Sequence, residues 1–217
     1  GMHYTSVPNI MKVIKPLFLD DLTEVFETLK LRSEENELKD ITEKTRNDNK
    51  RSIINELSAL LTRISNIKFL DPASGSGNFL IIAYKEIRRL EIKILQLLGD
   101  LQNNDSMPLS VIHLGNFNGI ELDDFAHEVA RLSLWIAEHQ MNKELEEVIP
   151  GTIAELLPLK DAGNIICANS LRIDWNEVLR HSDTDEVYLI GNPPYLGSNK
   201  WTKNSQMQKD IDRKSVV

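Results

Sequence analysis

The nine residues Asp71-Pro72-Ala73-Ser74-Gly75-Ser76-Gly77-Asn78-Phe79 constrain this chain more than any other stretch. They lie between the apolar Ile67-Lys68-Phe69-Leu70 and the helix-forming Leu80-Ile81-Ile82-Ala83-Tyr84. The pattern predicts a short buried strand, a glycine turn and a helix. Gly75 and Gly77 permit a sharp turn with backbone close to a ligand. The helix that follows is expected to aim its free N–H groups at that ligand. Such a loop is shared by many nucleotide-binding folds and by plain tight turns, so alone it is a weak signal.

A second motif narrows the choice. Gly191-Asn192-Pro193-Pro194-Tyr195 follows another apolar run, Val187-Tyr188-Leu189-Ile190. Together, DPASGSGNF and GNPPY resemble the amino-methylating DNA methyltransferases of bacterial restriction-modification systems, which use S-adenosylmethionine to modify adenine N6. His3-Tyr4-Thr5-Ser6 resembles the short cofactor segment that precedes the glycine loop in one class of that family, so the resemblance runs from about Tyr4 to Tyr195.

Composition sets the limits. With 217 residues, the chain can bury a substantial core as one domain or one and a half. Hydrophobic residues make up 41% and charged residues 27%, an ordinary globular balance. A single cysteine, Cys167, excludes a disulfide framework and a cysteine-based zinc cluster, and suits a reducing cytoplasm. No apolar run approaches membrane-spanning length and no signal peptide is read. The formal net charge of −8 opposes phosphate binding, which depends on Lys and Arg. Two explanations are open, a basic face hidden within the acidic total or a separate DNA-reading part outside this chain, and the second is the expectation.

Residues 1–66 are expected to be helical, with Ser6 capping a helix that carries Pro8 in its first turn. Ile10, Val13, Ile14, Leu17 and Phe18 form one apolar stripe, and Leu22, Val25, Phe26 and Leu29 form another beyond Asp20 and Asp21. The polar run Arg32 to Arg51 predicts a solvated helix end or a loop. Ile53, Ile54, Leu57, Leu60, Leu61 and Ile64 predict a further helix leading into the first strand.

A core spanning 67–196 follows. A helix from Phe79 to about Leu98 ends at Gly99-Asp100, and a loop occupies Gln102 to Gly115. A second strand, Phe117 to Asp123, precedes a helix from Phe125 to about Met141. Ala126, Val129, Ala130, Leu132, Leu134, Trp135 and Ile136 are expected to form its buried side, with Trp135 in the core. A third strand covers Asn164 to Ala168 and a fourth Val187 to Ile190. Strands ending in polar residues and alternating with helices predict an α/β fold, a Rossmann-like, doubly wound, mostly parallel sheet with its ligand at the carboxyl edge. The polar tail 197–217 offers no further strand, so the sheet is expected to be incomplete in this chain.

The resemblance assigns roles. Tyr4, Thr5, Ser6, Asp71, Pro72, Ala73, Gly75, Gly77 and Phe79 would hold S-adenosylmethionine. Glu121 would accept hydrogen bonds from its ribose, Leu122 would flank its adenine, and Asn169 with Ser170 would meet the adenine amino group. As plain local structure, Glu121 is an acid starting a helix and Asn169-Ser170 is turn chemistry. Asn192, Pro193, Pro194 and Tyr195 would engage the target base of double-stranded DNA, an adenine swung out of the duplex. Relatives continue into further strands and a target-recognition region, so the expected partners are DNA and either a recognition or restriction subunit or a missing C-terminal half.

No metal is expected: His127 and His139 stand twelve residues apart with no carboxylate-histidine pattern. Other amino acceptors share the chemistry, namely cytosine N4, protein glutamine and RNA guanine. A non-catalytic cofactor-binding fragment is the remaining alternative.

Overall fold

The computed structural model describes residues 5–103, 110–151 and 164–193. Its centre is a parallel sheet of four strands: β1 (Lys68–Asp71), β2 (Phe117–Glu121), β3 (Asn164–Cys167) and β4 (Val187–Leu189). The spatial order is β3-β2-β1-β4. Register places Phe69 of β1 opposite Phe117 of β2 and Tyr188 of β4. These three rings therefore share one face. Phe69 stacks on Phe117 with centroids 4.9 Å apart and on Tyr188 at 5.8 Å.

That face carries the main core. Helices α1 (Val7–Ile14) and α2 (Asp20–Leu38) are joined through a widened π turn at Lys15–Leu19. Asp20 and Asp21 were expected to separate two helical segments, but the run is continuous. Pro16 explains the turn: its ring cannot donate the regular helical hydrogen bond, and a locally widened coil accommodates it. Phe18, within that turn, packs edge-on to Phe69 with centroids 5.1 Å apart. Ser6 does occupy the cap position, yet its hydroxyl makes no capping bond. Its carbonyl instead accepts from the Asn9 and Ile10 N–H groups.

Helix α3 (Glu43–Asn66) begins within the segment expected to be a helix end or loop. The turn between α2 and α3 is held by polar groups, which explains how a stretch poor in apolar residues stays ordered. The Arg46 guanidinium donates to the carbonyls of Asn36, Glu37 and Lys39 at 2.6, 2.8 and 3.1 Å. Asn36 Nδ2 returns a bond to the Arg46 carbonyl. Thr42 accepts from the Thr45 N–H and caps α3. Ile53, Leu57, Leu60 and Ile64 face the core as the spacing predicts.

Helix α4 (Asn78–Leu101) continues through Gly99 and Asp100, past its expected end. Helix α5 (Asp124–Val148) is likewise longer than expected. Its buried side is Ala126, Ala130, Leu134, Ala137, Met141 and Leu145. Leu132 and Ile136 are exposed, and Trp135 is only part-buried, its ring stacked with that of His139. Small alanines against α4 allow close approach of the two helices, which turns the bulkier neighbours outward. The opposite face of the sheet is smaller. There Leu70, Ile120 and Leu179 are buried, with Trp175 and Val178 of the short helix α6 (Trp175–Val178) packed against them.

Candidate active site

A parallel sheet binds ligands where its strand order reverses, because loops leave adjacent strands in opposite directions and open a crevice between them. Here the reversal falls between β1 and β4. The glycine loop leaves β1 and the Gly191-Asn192-Pro193 segment follows β4, so both predicted motifs meet at one crevice.

The two come into direct contact at Asp71 and Gly191. A Cβ at Gly191 would stand 2.4 Å from Asp71 Oδ1, so the backbone can pass the carboxylate only as glycine. Asp71 is 1% exposed. Its Oδ1 accepts the Ala73 N–H at 3.0 Å, and among the described residues no cationic side chain forms an ion pair with it. Burial pushes its carboxyl up to about 7, against the opposing Ala73 hydrogen bond and aided by the charge of Glu121.

The glycine loop folds on itself. Gly75 and Gly77 both have positive φ, and Gly77 caps α4 in the left-handed region. The N–H groups of Ala73, Ser74, Gly75 and Gly77 bond within the site, to Asp71, the Ile120 carbonyl, Glu121 and the Ser74 carbonyl. The Ala73 and Gly75 amides are thus turned onto the Asp71 and Glu121 carboxylates.

Glu121 stands at the end of β2. Its Oε2 accepts the Gly75 N–H at 2.7 Å, and its Oε1 accepts those of Leu122 and Asp123, each at 2.9 Å. A carboxylate offers about four acceptor sites, so one on Oε2 remains for an incoming hydroxyl. Next in the chain, Leu122 is 68% exposed and Phe125, at the start of α5, 72% exposed. Sequence reasoning assigned Phe125 no role beyond starting a helix. This edge of the sheet is acidic: Cys167, exposed and in line with β3, has its thiol pushed up by loss of hydration and then by Asp124, Glu121, Asp123 and Glu128.

Asn169 follows β3. Its Oδ1 accepts the Leu171 N–H at 3.0 Å, the turn chemistry anticipated as plain structure, and one lone pair is left over. The Ser170 carbonyl accepts the Trp175 indole N–H at 2.8 Å. Phe79 is buried in the main core. Pro72 and Ala73 line the turn above β1. Thr5 reaches the crevice from the other end of the chain, its Oγ1 accepting from Asn192 Nδ2 at 3.2 Å. No spacing rule could have revealed that contact. Asn192 and Pro193 are exposed, while Tyr4, Pro194, Tyr195 and the tail 197–217 lie outside the described residues. His127 Nε2 pairs with the Ile165 carbonyl at 3.0 Å. Among the described residues no helix is long and apolar enough to cross a membrane.

Fold and crevice together define a Rossmann-like methyltransferase domain. Residues 42–216 match the family described as MmeI, DNA-methyltransferase domain, and the chain belongs to that family. It is 51% identical over 203 residues to DNA methyltransferase A of Bacillus subtilis (strain 168), covering 94% of this chain and 21% of that protein. A putative type II restriction enzyme and methyltransferase of Methanocaldococcus jannaschii is 39% identical over 119 residues, 55% of this chain and 10% of its own length. Among solved structures, the type IIL restriction-modification enzyme MmeI in complex with DNA superposes with a TM-score of 0.74 at 35% identity, over 96% of this chain and 25% of that one. The chain thus spans a quarter or less of each of these relatives.

Proposed function

We propose that this chain is the cofactor-binding and base-holding portion of a restriction-modification methyltransferase that moves a methyl group from S-adenosylmethionine to adenine N6 in DNA. The observation that carries the reading is the contact of Asp71 with Gly191, which joins the glycine loop to the Asn192 segment at the sheet reversal.

Charge selects the cofactor. A buried carboxylate without a cationic partner is costly unless a positive ligand arrives. The pocket edge adds Glu121, Asp123 and Asp124, which would repel the pyrophosphate of a dinucleotide. S-adenosylmethionine carries an ammonium and a sulfonium, and when bound it supplies a methyl group on an excellent leaving group. Glu121 offers its free acceptor site to a ribose hydroxyl, Leu122 gives the adenine an apolar face, and Asn169 receives its amino group.

The acceptor side needs alignment more than a strong base. An exocyclic amino group is a poor nucleophile because its lone pair is delocalised into the ring. Asn192 Oδ1 and the Pro193 carbonyl each accept one amino hydrogen, which lets the nitrogen become tetrahedral and frees the lone pair. On transfer the amino nitrogen would gain the methyl and give up one proton to solvent, the cofactor supplying a neutral thioether leaving group. Pro193 and Pro194 stiffen the acceptor pair. Tyr195 stacks on the extruded base, and aromatic stacking of roughly 1–3 kcal/mol is comparable to the few kcal/mol of extrusion.

The test separates the two halves of the site. In the full-length protein, Asn192→Ala is expected to abolish transfer to unmodified DNA while calorimetry shows nearly unchanged S-adenosylmethionine affinity. Glu121→Ala is expected to weaken cofactor binding. Equal loss of affinity in both variants would sink this division of roles. Nucleoside analysis of the product identifies the acceptor, and N4-methylcytosine in place of N6-methyladenine would correct the base.

A further inference from the structure

We propose that Thr5 is a positioning residue for Asn192, holding its amide so that Oδ1 faces the target amino group. The inference rests on the reading of Asn192 as the acceptor of that amino group. A carboxamide has one acceptor atom and two donor hydrogens, at opposite ends of one plane. If Nδ2 turned toward the base, donor would face donor and the lone pair would stay in the ring. Asn192 is exposed, so packing alone does not set the plane of its amide.

The bond from Nδ2 to Thr5 Oγ1 at 3.2 Å supplies what packing does not. With one end of the amide engaged by Thr5, the other end is presented to the crevice. A hydroxyl both donates and accepts and can anchor either end of an amide; here it accepts from Nδ2, an anchor that an apolar side chain of the same shape does not provide. Thr5 is itself part-buried, next to Ser6, the cap residue of α1, whose Ile10 and Ile14 are fully buried. The anchor is therefore tethered, through Ser6, to a helix locked into the core. It also lies in the segment expected to meet the cofactor, so the same residue links the donor side to the acceptor side.

The pair Thr5→Val and Thr5→Ser in the full-length protein tests this. Valine keeps the shape and removes the acceptor, and serine keeps the acceptor. At saturating S-adenosylmethionine, Thr5→Val is expected to lose about tenfold to a hundredfold in kcat, the scale of a misplaced reacting group. Thr5→Ser is expected to stay within about threefold on the same scale. Crystal structures of the two variants are expected to show the Asn192 amide held in the serine variant and displaced in the valine variant. An unmoved amide in Thr5→Val overturns the contact. A Thr5→Val enzyme with wild-type kcat and weaker cofactor binding alone overturns the positioning role, making Thr5 a cofactor ligand only. If the wild-type protein transfers no methyl group to DNA, the methyl-transfer reading falls and takes the positioning role with it, whatever the amide does.

Discussion

A carboxylate removed from water favours its protonated form, and Asp71 shows how one residue imposes a pH dependence on a whole domain. Its carboxyl titrates near 7 in the folded chain against an ordinary value of 3.8. Between those values the folded state binds the extra proton, so this contribution to stability is complete below about pH 4 and is lost as the pH rises to about 7. Asp71→Asn removes the titration and keeps an acceptor for the Ala73 N–H. In the absence of ligand, the variant is expected to melt above the wild type at pH 8, with the gap closing toward pH 4. Thermal melts across that range check it, and a gap that is constant with pH would contradict the assignment. Saturating S-adenosylmethionine should shrink the gap at pH 8, because a cationic ligand stabilises the ionised form.

Helix α4 shows at the element scale how a buried charge is made tolerable. Arg88 and Glu91 are 1% and 0% exposed, with Arg88 Nε and Glu91 Oε2 2.9 Å apart. Arg88 also donates to the Tyr84 hydroxyl and to Asn142 of α5, each at 3.0 Å. Glu91 Oε1 accepts the N–H groups of Val111 and Ile112, and the Ser110 hydroxyl reaches both its oxygens. One glutamate thus fixes the approach to β2, and through β2 the place of Glu121. Glu91→Ala leaves the guanidinium buried without its counter-ion and is expected to cost about 3–5 kcal/mol in urea unfolding. A loss below roughly 1 kcal/mol, the range of surface pairs, would show that the site is hydrated instead.

Elements were legible in the sequence wherever their cause was local. The strand-loop-helix around Asp71, the strand ending at Glu121 and the core face of α3 all follow from spacing and glycine placement. Where polar side chains do the work of packing, periodicity gave no warning. The Arg46 and Asn36 bonds hold the α2–α3 turn through a run that reads as loop. Gly99 reads as a stop, yet α4 carries on to Leu101, supported by buried Leu98 and Leu101. In the site, each motif was readable by itself. The contacts of Asp71 with Gly191 and of Thr5 with Asn192 were not, because they depend on which strands lie side by side.

At the scale of the molecule, the helical segment and the sheet form one body. Arg63 of α3 pairs with Asp21 of α2 and with Glu186 just before β4, both at 2.9 Å. The net charge of −8 and the acidic pocket edge leave little to attract a phosphate backbone. The 217-residue chain is therefore expected to hold duplex DNA no more tightly than roughly 10 μM at physiological salt, within the non-specific range. Fluorescence anisotropy with a labelled duplex measures this, and sub-micromolar binding would place the DNA-reading surface within this chain.

The bond between Thr5 and Asn192 joins residues 187 positions apart, and Arg63 reaches across 123 to Glu186. Closing such wide loops costs entropy, so the crevice is expected to be among the last parts of the domain to form during folding. On the ribosome, at about 5–20 residues per second, the helices and β1 exist for several seconds before β4 is made. Through that interval the edge of β1 that will receive β4 stands bare, and the nascent chain depends on how quickly this edge is covered.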